Sequence, residues 1–312
     1  MAPQPHAAFL QIVQPKLVIF VKYEFWYYYL KKIKYRNIPL VLVSAIFREK
    51  MTFFRWYGAL PEKMLSRFEH LFVQDQNSLE LLSKIDLGNI TTVSGDTRFD
   101  RVVMIADKAP TNAVVEHFAR GRKLIVAGST WPPDEDLLAN SLELLPREEF
   151  ALVIAPHEIH EQHLQSIEAK FPGLVRYSAL AADNTPSPTD ATVLLIDNIG
   201  LLSQLYRHAW ICLIGGGFGK GIHNTLEAAV YGKPVFFGPV HQKFREALEL
   251  KEVQGAFAVS DHQEFVLIVQ NMLVNPTLHE NSAKASKDYV RSRVGATNII
   301  MHYFQEKRLL TN

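Results

Sequence analysis

The sequence is poor in the features that would place it outside ordinary globular proteins. Its 312 residues include one cysteine, Cys212, so an intrachain disulfide framework and a zinc site with several cysteines are both excluded. There are 33 lysines and arginines against 32 aspartates and glutamates, a net charge of +1 that provides no overall field for nucleic acid. We therefore expect a protein of a reducing compartment without a nucleic-acid partner.

Long apolar runs are also missing. No stretch reaches the roughly 18 uncharged apolar residues of a membrane-spanning helix, and the first residues, MAPQPHAAFLQ, lack the basic and apolar parts of an export signal. The composition is otherwise globular, with 48% hydrophobic and 21% charged residues. We expect the chain to be soluble as given, and such a chain can still lie against a membrane surface.

Short apolar runs recur along the chain, and each is followed by a helical pattern. This alternation predicts parallel strands joined by helices, the α/β class. The runs are apolar on both faces, which is typical of doubly wound sheets that helices cover on each side. The predicted strands are Leu17–Val21, Pro39–Ile46, His70–Val73, Ile90–Val93, Lys123–Ala127, Phe150–Ile154, Thr192–Ile196, Trp210–Ile214 and Pro234–Phe237.

The strand pattern pauses between Arg101 and Arg122, where a polar stretch and a short helix occur. We predict a first Rossmann-like domain over residues 1–108, a linker over 109–122 and a second Rossmann-like domain over 123–290. Residues 291–312 are predicted to form a helix that can pack back on the first domain. Because the first domain has only about four strands, we interpret it as truncated. Residues 181–190 (AADNTPSPTD) are predicted to be a polar loop.

The most informative segment is Trp210–Pro239, which reads WICLIGGGFGKGIHNTLEAAVYGKPVFFGP. It predicts a strand, a loop with five glycines, a helix and another strand. Glycines let the backbone approach a ligand closely, and a helix that begins near Asn224 would offer N–H donors to a phosphate. Glu227, one turn further, can accept hydrogen bonds from two ribose hydroxyls. The segment therefore indicates a nucleotide site, with a tight turn that binds nothing as the alternative.

Two common nucleotide motifs do not match this loop. No register gives G-x-G-x-x-G, and no acidic residue ends the next strand, so NAD is disfavoured. Lys220 has neither the preceding G-x-x-x-x-G nor the following Ser or Thr of a P-loop. We expect no cofactor.

Two clusters resemble metal ligands without matching a metal motif. His157, His160 and His163 lie in PHEIHEQHL, which contains H-E-x-H rather than H-E-x-x-H. Asp134–Asp136 follow two prolines and are better interpreted as the acidic first turn of a helix. We predict no metal site.

Six further segments follow one another along the chain in the order PKLVIFVKYEFW, IPLVLVSA, SGDTRFD, AGSTW, APHE and DNIGLL. Together with the glycine loop, they resemble the 3-deoxy-D-manno-octulosonic acid (Kdo) transferases, which are inverting GT-B glycosyltransferases of lipopolysaccharide assembly. The VKYEFWYYYL variant resembles the Bacteroidetes branch. The resemblance implies two Rossmann-like domains with CMP-Kdo in their cleft. It also implies Kdo transfer to a glucosamine hydroxyl of a lipid A precursor (lipid IVA) at the cytoplasmic face of the bacterial inner membrane.

The resemblance also assigns most of the donor-binding residues. Many family members have an arginine where His157 stands, and a neutral imidazole is a weaker partner for an anion. Gly128, Ser129 and Thr130 form a strand-end loop that suits a second phosphate or sugar contact. The remaining substrate-binding residues are Pro156, His157, Ile199, Gly200, Leu201, Gly216, Gly217, Asn224, Thr225, Leu226 and Glu227.

Two catalytic residues are expected on the first domain. Glu24 matches a family acid, and Arg98 matches a basic position, usually lysine, that suits stabilisation of the departing phosphate. The family's general base is a glutamate in a Val-Gly-Glu segment upstream of PKLVIF, and this chain contains no Gly-Glu dipeptide. We therefore expect the usual amino-terminal segment and its base to be missing, and the chain to bind nucleotide better than it transfers sugar. Glu24 is the substitute base that can be imagined within these residues, and it is the less favoured interpretation. The alternatives are a non-catalytic nucleotide-binding protein and a GT-B-like sugar-nucleotide epimerase.

Aromatic and basic residues occur together in two short segments. Phe25–Leu30 are followed by Lys31, Lys32, Lys34 and Arg36, and Phe53–Tyr57 come later. One interpretation is a helix that packs its apolar stripe on the sheet. The other is peripheral contact with a membrane, where rings and cations meet acyl chains and anionic head groups. Single-stranded nucleic acid is a poor third because the net charge is near zero.

Overall fold

The computed structural model describes residues 5–55, 59–183 and 191–310. These described residues fall into two compact units, the first within residues 1–101 and 293–312 and the second within residues 102–292. Trp56, Tyr57 and residues 184–190 of the predicted loop lie outside the described residues, whereas residues 181–183 end a helix.

All nine predicted strands are present, so the predicted α/β class is confirmed. Two strands of two and three residues, β7 and β11, were not predicted. The strands are β1 (Val18–Val21), β2 (Leu40–Ala45), β3 (His70–Val73), β4 (Thr91–Val93), β5 (Lys123–Thr130), β6 (Phe150–Pro156), β7 (Val175–Arg176), β8 (Val193–Leu195), β9 (Ile211–Ile214), β10 (Val235–Phe237) and β11 (Ala256–Ala258).

Helices connect these strands and cover both sheets. None of the described helices combines the length and apolar character needed to cross a membrane. They are α1 (Pro5–Val13), α2 (Tyr27–Tyr35), α3 (Ala59–Leu65), α4 (Gln76–Ser83), α5 (Thr97–Lys108), α6 (Ala113–Ala119), α7 (Pro132–Leu142), α8 (Glu161–Lys170), α9 (Tyr177–Asp183), α10 (Leu202–Leu205), α11 (Leu226–Ala229), α12 (Arg245–Glu252), α13 (His262–Val274), α14 (Pro276–Arg291) and α15 (Ala296–Glu306).

The first unit contains a parallel sheet with the strand order β1-β2-β3-β4. Successive strand residues point to opposite faces of a sheet. Leu40 and Leu42 of β2 accordingly pack in a core with Leu30 of α2 and other residues of α1–α4. Val41 and Val43 face the other way and pack in a cluster with α15.

Helix α15 is joined to the first unit by hydrogen bonds as well as by packing. The two carboxylate oxygens of Asp100 accept hydrogen bonds from the backbone N–H groups of Gly295 (2.7 Å) and Thr297 (3.1 Å). Both donors lie at the start of α15, where backbone N–H groups have no partner within the helix. The second aspartate of the SGDTRFD segment therefore caps a helix almost 200 residues away in the sequence.

The second unit contains a seven-stranded parallel sheet with the order β11-β10-β9-β5-β6-β8-β7. The unit's first strand, β5, lies in the middle; β6 to β8 extend the sheet on one side and β9 to β11 on the other. Its buried core includes Ile125, Leu152 and Leu213 from three adjacent strands, and Phe265 from α13. The direction in which successive strands are added to the sheet therefore reverses between β5 and β9. This position is the topological switch point of a doubly wound sheet.

Candidate functional site

The switch point between β5 and β9 is where several predicted nucleotide contacts meet. In parallel sheets, ligands bind outside the carboxyl ends of the strands, and a crevice opens where the strand order reverses. Gly128–Thr130 end β5, Pro156 ends β6, and the glycine loop follows β9 at Ile214. The three segments therefore lie at the same edge of one sheet.

Backbone contacts lock these segments together. The Gly215 N–H donates to the Gly128 carbonyl at 2.9 Å, and the His157 N–H donates to the Thr130 carbonyl at 3.0 Å. A Cβ on Gly215 would clash with the Ser129 carbonyl oxygen, and a Cβ on Gly217 would clash with the backbone of Gly238. Glycine is required at both positions because two backbones approach each other without room for a side chain.

Asp134 attaches the glycine loop to the start of α7. Its Oδ2 accepts hydrogen bonds from the backbone N–H groups of Trp131 and Gly216, each at 2.9 Å. The side chain is almost fully buried, and burial raises the pKa of its carboxyl to about 6. Gly216 and Gly217 are themselves buried, so this part of the loop supports the site's shape, while Gly219 and Lys220 are exposed.

The segment after the glycine loop is held by its own side chains. Asn224 Oδ1 accepts a hydrogen bond from the Leu226 N–H at 3.1 Å, and Asn224 Nδ2 donates to Glu227 Oε1 at 2.9 Å. Leu226 is buried, Glu227 is half-buried, and the buried Thr225 hydroxyl has no hydrogen-bond partner among the described residues. The helix predicted here is only the four-residue α11, so the Glu227 carboxylate, not a helix dipole, is the segment's main polar feature.

Three aromatic rings lie beside this segment, and the sequence drew attention to only one of them. The His157 ring stacks on Trp131 with a centroid distance of 4.7 Å and on His223 at 4.4 Å. Trp131 Nε1 donates to His223 Nε2 at 3.1 Å. Burial and the neighbouring His157 lower the pKa of His223, which favours a neutral ring. Trp131 lies in the AGSTW segment and His223 in the GIHN part of the glycine-loop segment. Their positions in these motifs are the sequence feature that could have identified them as site residues.

A buried polar network supports the ends of β5 and β6 from beneath. Oε1 of the fully buried Glu135 accepts a hydrogen bond from the Thr130 hydroxyl at 3.2 Å and pairs with His163 Nε2 at 3.0 Å. His163 Nδ1 lies 2.9 Å from the Glu158 carbonyl oxygen, next to His157. Among the described residues, no group of three His, Cys, Asp or Glu side chains could hold a metal ion. Glu135 and His163 thus fix the loop that presents His157.

The remaining predicted donor contacts follow β8. Ile199 is 86% exposed, and Gly200 has a positive φ of 97° that favours glycine. The chain then passes beside β5, because a Cβ on Gly128 would clash with the side chains of Leu202 and Tyr206. Burial raises the pKa of the Tyr206 hydroxyl well above its usual range, with Cys212 and Glu227 as further causes.

The two predicted catalytic residues belong to the first unit. Arg98 lies at the start of α5, where its backbone N–H and its Nε donate to the buried Asp96 carboxylate at 2.9 and 2.8 Å. Glu24 lies between β1 and α2 with an exposed side chain. Both follow carboxyl ends of strands in the first sheet, whereas the predicted nucleotide contacts belong to the second unit.

Sequence comparisons connect the chain to named proteins. Residues 2–101 match the family described as 3-deoxy-D-manno-octulosonic-acid transferase (kdotransferase). The 3-deoxy-D-manno-octulosonic acid transferase of Aquifex aeolicus is 26% identical over 270 residues, which are 85% of this chain and 68% of that protein. Its namesake from Rickettsia bellii is 23% identical over 285 residues, or 90% of this chain and 66% of the relative. The chain thus spans about two thirds of the length of these relatives.

Solved structures share the fold. The carboxy-terminal CMP-Kdo binding domain of WaaA from Acinetobacter baumannii matches 61% of this chain and 98% of its own, with a TM-score of 0.50 and 19% identity. UDP-GlcNAc 2-epimerase from Neisseria meningitidis, bound to UDP-GlcNAc, matches 96% of this chain and 78% of its own, with a TM-score of 0.62 and 18% identity. The fold is the Rossmann-like one of GT-B proteins. Together with the family match over residues 2–101 and the named relatives, it supports a relationship between this chain and the Kdo transferases.

Proposed function

We propose that the chain transfers Kdo from CMP-Kdo, with inversion, to a glucosamine hydroxyl of a lipid A precursor (lipid IVA). The observation that carries this proposal is the switch point of the second sheet, where the end of β5 is hydrogen-bonded both to His157 and to the glycine loop. The reaction is taken from the relatives' names, and the donor from the CMP-Kdo binding domain that shares the fold.

In this proposal the second unit holds the CMP moiety. Asn224 holds the half-buried Glu227 carboxylate in one orientation. The carboxylate can therefore accept two hydrogen bonds from ribose hydroxyls without a further loss of side-chain conformational freedom. The exposed His157 ring, supported by Trp131 and His223, offers a flat surface to the cytosine base or a polar N–H to the phosphate. Gly128–Thr130 and Ile199–Leu201 would close the remaining sides.

The chemistry requires a base for the acceptor hydroxyl and positive charge near the departing phosphate. Arg98 meets the second requirement, because the hydrogen bond from its guanidinium Nε to Asp96 orients this cation. Glu24 is our candidate for the base within these residues, since its carboxylate is exposed at a strand end.

Calorimetry with CMP tests the donor site. We expect Glu227→Gln to weaken CMP binding about tenfold or more, because charge-assisted hydrogen bonds to the ribose are lost. Glu252→Gln is the matched control, since Glu252 is exposed at the end of α12 and the same charge is removed there. Equal affinities for the two variants would remove Glu227 from the site.

Mass spectrometry of a tetra-acylated lipid A precursor incubated with CMP-Kdo and the chain tests the reaction. A product with one or more added Kdo groups supports the transferase, and Glu24→Gln should abolish it if Glu24 is the base. CMP binding without a lipid product would indicate a non-catalytic nucleotide-binding protein. An epimerase would alter a sugar nucleotide and would need no lipid acceptor.

We further propose that α1 and α2 contact the cytoplasmic face of the inner membrane. Leu30 and Ile33 of α2 are buried against the sheet, and Phe53 packs inward on Phe25 at 4.9 Å. Other side chains of α1 and α2 point outward: Ile12 is 82% exposed and Tyr35 is 82% exposed. Phe9, Trp26 and Tyr28 are also exposed, and so are the basic residues Lys31, Lys34 and Arg36.

Rings and cations together suit the boundary between acyl chains and anionic head groups. We expect the chain to sediment with vesicles that contain phosphatidylglycerol and less with pure phosphatidylcholine. The double variant Trp26→Ser, Tyr35→Ser should reduce binding several-fold. The matched control is Leu267→Ser, which removes an exposed apolar side chain from α13 in the second unit. Equal losses for both variants would contradict the assignment of this face.

A further inference from the structure

A cavity in the second unit is lined by none of the predicted nucleotide contacts. Its volume is about 310 Å³, within the range of sites for small ligands. It lies between the end of α5, the turns after α10 and α11, and α14. Its polar lining residues are Asp107, Arg207, Tyr231, Lys287 and Arg291. A cavity where several polar groups meet is a candidate ligand site.

The lining holds three cations and one acid. Arg291 Nη2 donates to Asp107 Oδ1 at 2.7 Å, so these two charges neutralise each other. Arg207 Nη1 donates to the Ala109 carbonyl at 2.5 Å, which is a neutral acceptor. Within the described part of the chain, Lys287 has neither a hydrogen bond nor an ion pair. Two positive charges of the lining are therefore not paired with a carboxylate.

The stem of Lys287 packs along the turn after α11. Gly232 in this turn has a positive φ of 67°, and a Cβ at this position would lie 3.3 Å from Lys287 Cβ and 3.5 Å from Lys287 Cδ. Lys287 and Arg291 are four residues apart on α14, so they lie on the same helix face. Because the turn already restricts the Lys287 stem, an anion that binds its ammonium costs less side-chain conformational entropy.

Tyr231 lines the same cavity, and its polar group is unsatisfied. The hydroxyl is buried and has no hydrogen-bond partner among the described residues. Burial raises the pKa of this hydroxyl, and the nearby Arg207 acts in the opposite direction. The hydroxyl is therefore a protonated donor at neutral pH. A buried donor without a partner calls for an acceptor that the described residues do not supply.

We propose that this cavity binds the phosphate group of a small ligand through Arg207 and Lys287. A phosphate monoester carries about −1.5 to −2 charges at neutral pH, which matches the two unpaired cations. The planar guanidinium of Arg207 suits two phosphate oxygens, and the Lys287 ammonium adds a point charge. The Tyr231 hydroxyl is a neutral donor to the same ligand. The site goes beyond the proposed function, because neither CMP-Kdo nor the lipid acceptor occupies it.

Calorimetry with inorganic phosphate on the full chain, at constant ionic strength, tests the site. The main variant is Lys287→Gln, which removes the charge without leaving an acid unpaired. We expect it to bind phosphate about tenfold more weakly than the wild type, because a charge-assisted contact is lost. Lys287→Arg should bind within about threefold of the wild type. The matched control is Lys284→Gln, which removes the same charge from an exposed position one turn earlier on α14 and should have no effect.

Equal phosphate affinities for Lys287→Gln and the wild type would overturn the proposal. Equal losses in Lys287→Gln and Lys284→Gln would also overturn it, since the general charge of α14 would then be responsible. A loss of CMP affinity in Lys287→Gln would contradict a separate site. Thermal unfolding shows whether each variant is folded, and Arg207→Gln, with a similar expected loss, repeats the test from another element. Phosphate binding is measured without CMP-Kdo or lipid, so its failure is distinct from failure of the proposed function.

The phosphate group can belong to a soluble molecule or to a lipid head group, and a second measurement separates these sources. Phosphatidylcholine vesicles with and without phosphatidic acid are sedimented with the wild type, Lys287→Gln and Lys284→Gln. A loss of phosphatidic-acid-dependent binding in Lys287→Gln, but not in Lys284→Gln, supports a lipid phosphate. A loss confined to inorganic phosphate supports a soluble ligand.

Discussion

At the carboxyl edge of each sheet a buried aspartate accepts hydrogen bonds from backbone N–H groups, but the charges around the two aspartates differ. Asp134, just inside α7 in the second unit, and Asp96, just before α5 in the first, are both buried acids that accept backbone N–H groups. Asp134 binds two backbone N–H groups, and its Oδ1 has no partner among the described residues. Asp96 instead binds Arg98 and lies near Lys22.

This difference indicates two kinds of site. The second edge is closed by backbone contacts, so it is a rigid cradle in which steric changes should cost stability. The first edge is held by side-chain charges, so changes there should mainly alter what it binds. Variants at the two edges can break this comparison or sharpen it.

The largest expected effect is at Gly215, where two backbones touch. Gly215→Ala places a Cβ against the Ser129 carbonyl, and neither backbone can move without disturbing the sheet. We expect a loss of about 3 kcal/mol or more in the free energy of unfolding, measured with urea. Gly219→Ala is the matched control, because its Cβ would have only the Gly216 carbonyl oxygen nearby, at 3.7 Å. Similar losses for both variants would show that the second edge is not closed.

The next largest effect concerns the pH dependence of Asp134. Its folded pKa of about 6 lies above the usual 3.8, so the folded state binds the proton more tightly. The stability that this proton supplies is complete below about pH 4 and is lost as the pH rises through 6. The difference between these two pKa values corresponds to about 3 kcal/mol in the free energy of unfolding. Asp134→Asn should remove this slope from unfolding curves measured between pH 4 and pH 7, and an unchanged slope would assign it to other groups.

Much of the scaffold was predictable because its signals are local. Each of the nine predicted strands is a short apolar run, and burial on both faces makes such runs stand out. Strand β7 has two residues and β11 is Ala-Phe-Ala, so neither is long enough to show a recognisable hydrophobic pattern. The helix after the glycine loop was predicted to begin near Asn224, whereas α11 begins at Leu226. It ends after four residues, and Gly232 follows with a positive φ of 67°.

The contacts that shape the candidate site were not predictable in the same way. Asp134 and Gly216 are 82 residues apart, and His163 and Glu135 are 28 apart, so only the folded sheet brings them together. The spacing of the histidines drew attention to metal chemistry, whereas His163 lies against a buried carboxylate and a backbone carbonyl. The domain boundaries and the roles of individual site residues stay predictions.

A smaller effect is expected at the first edge, from Ser44. Ser44→Ala removes the hydroxyl that accepts the Thr97 N–H and contacts the Thr97 hydroxyl at 2.9 Å. Because Ser44 is fully buried, we expect a loss of about 1 to 2 kcal/mol in the free energy of unfolding. Ser66→Ala, an exposed serine whose hydroxyl donates only to the Lys63 carbonyl at 3.2 Å, should change stability by less than about 0.5 kcal/mol. A loss at Ser44 as large as that at Gly215 would make the two edges mechanically alike.

The smallest effect is a change in titration at the second edge. Burial lowers the pKa of the His223 ring, and the His157 ring stacked on it lowers that pKa further. His157→Ala removes the electrostatic effect of the His157 ring and lets water reach His223, and both changes favour the protonated His223 ring. The pKa of His223, followed by NMR as the pH is lowered, should therefore rise. His262→Ala, at the start of α13, should leave it unchanged. If His157→Ala had no effect, burial alone would set the charge of His223, and a ligand on the exposed His157 would have no electrostatic consequence for His223.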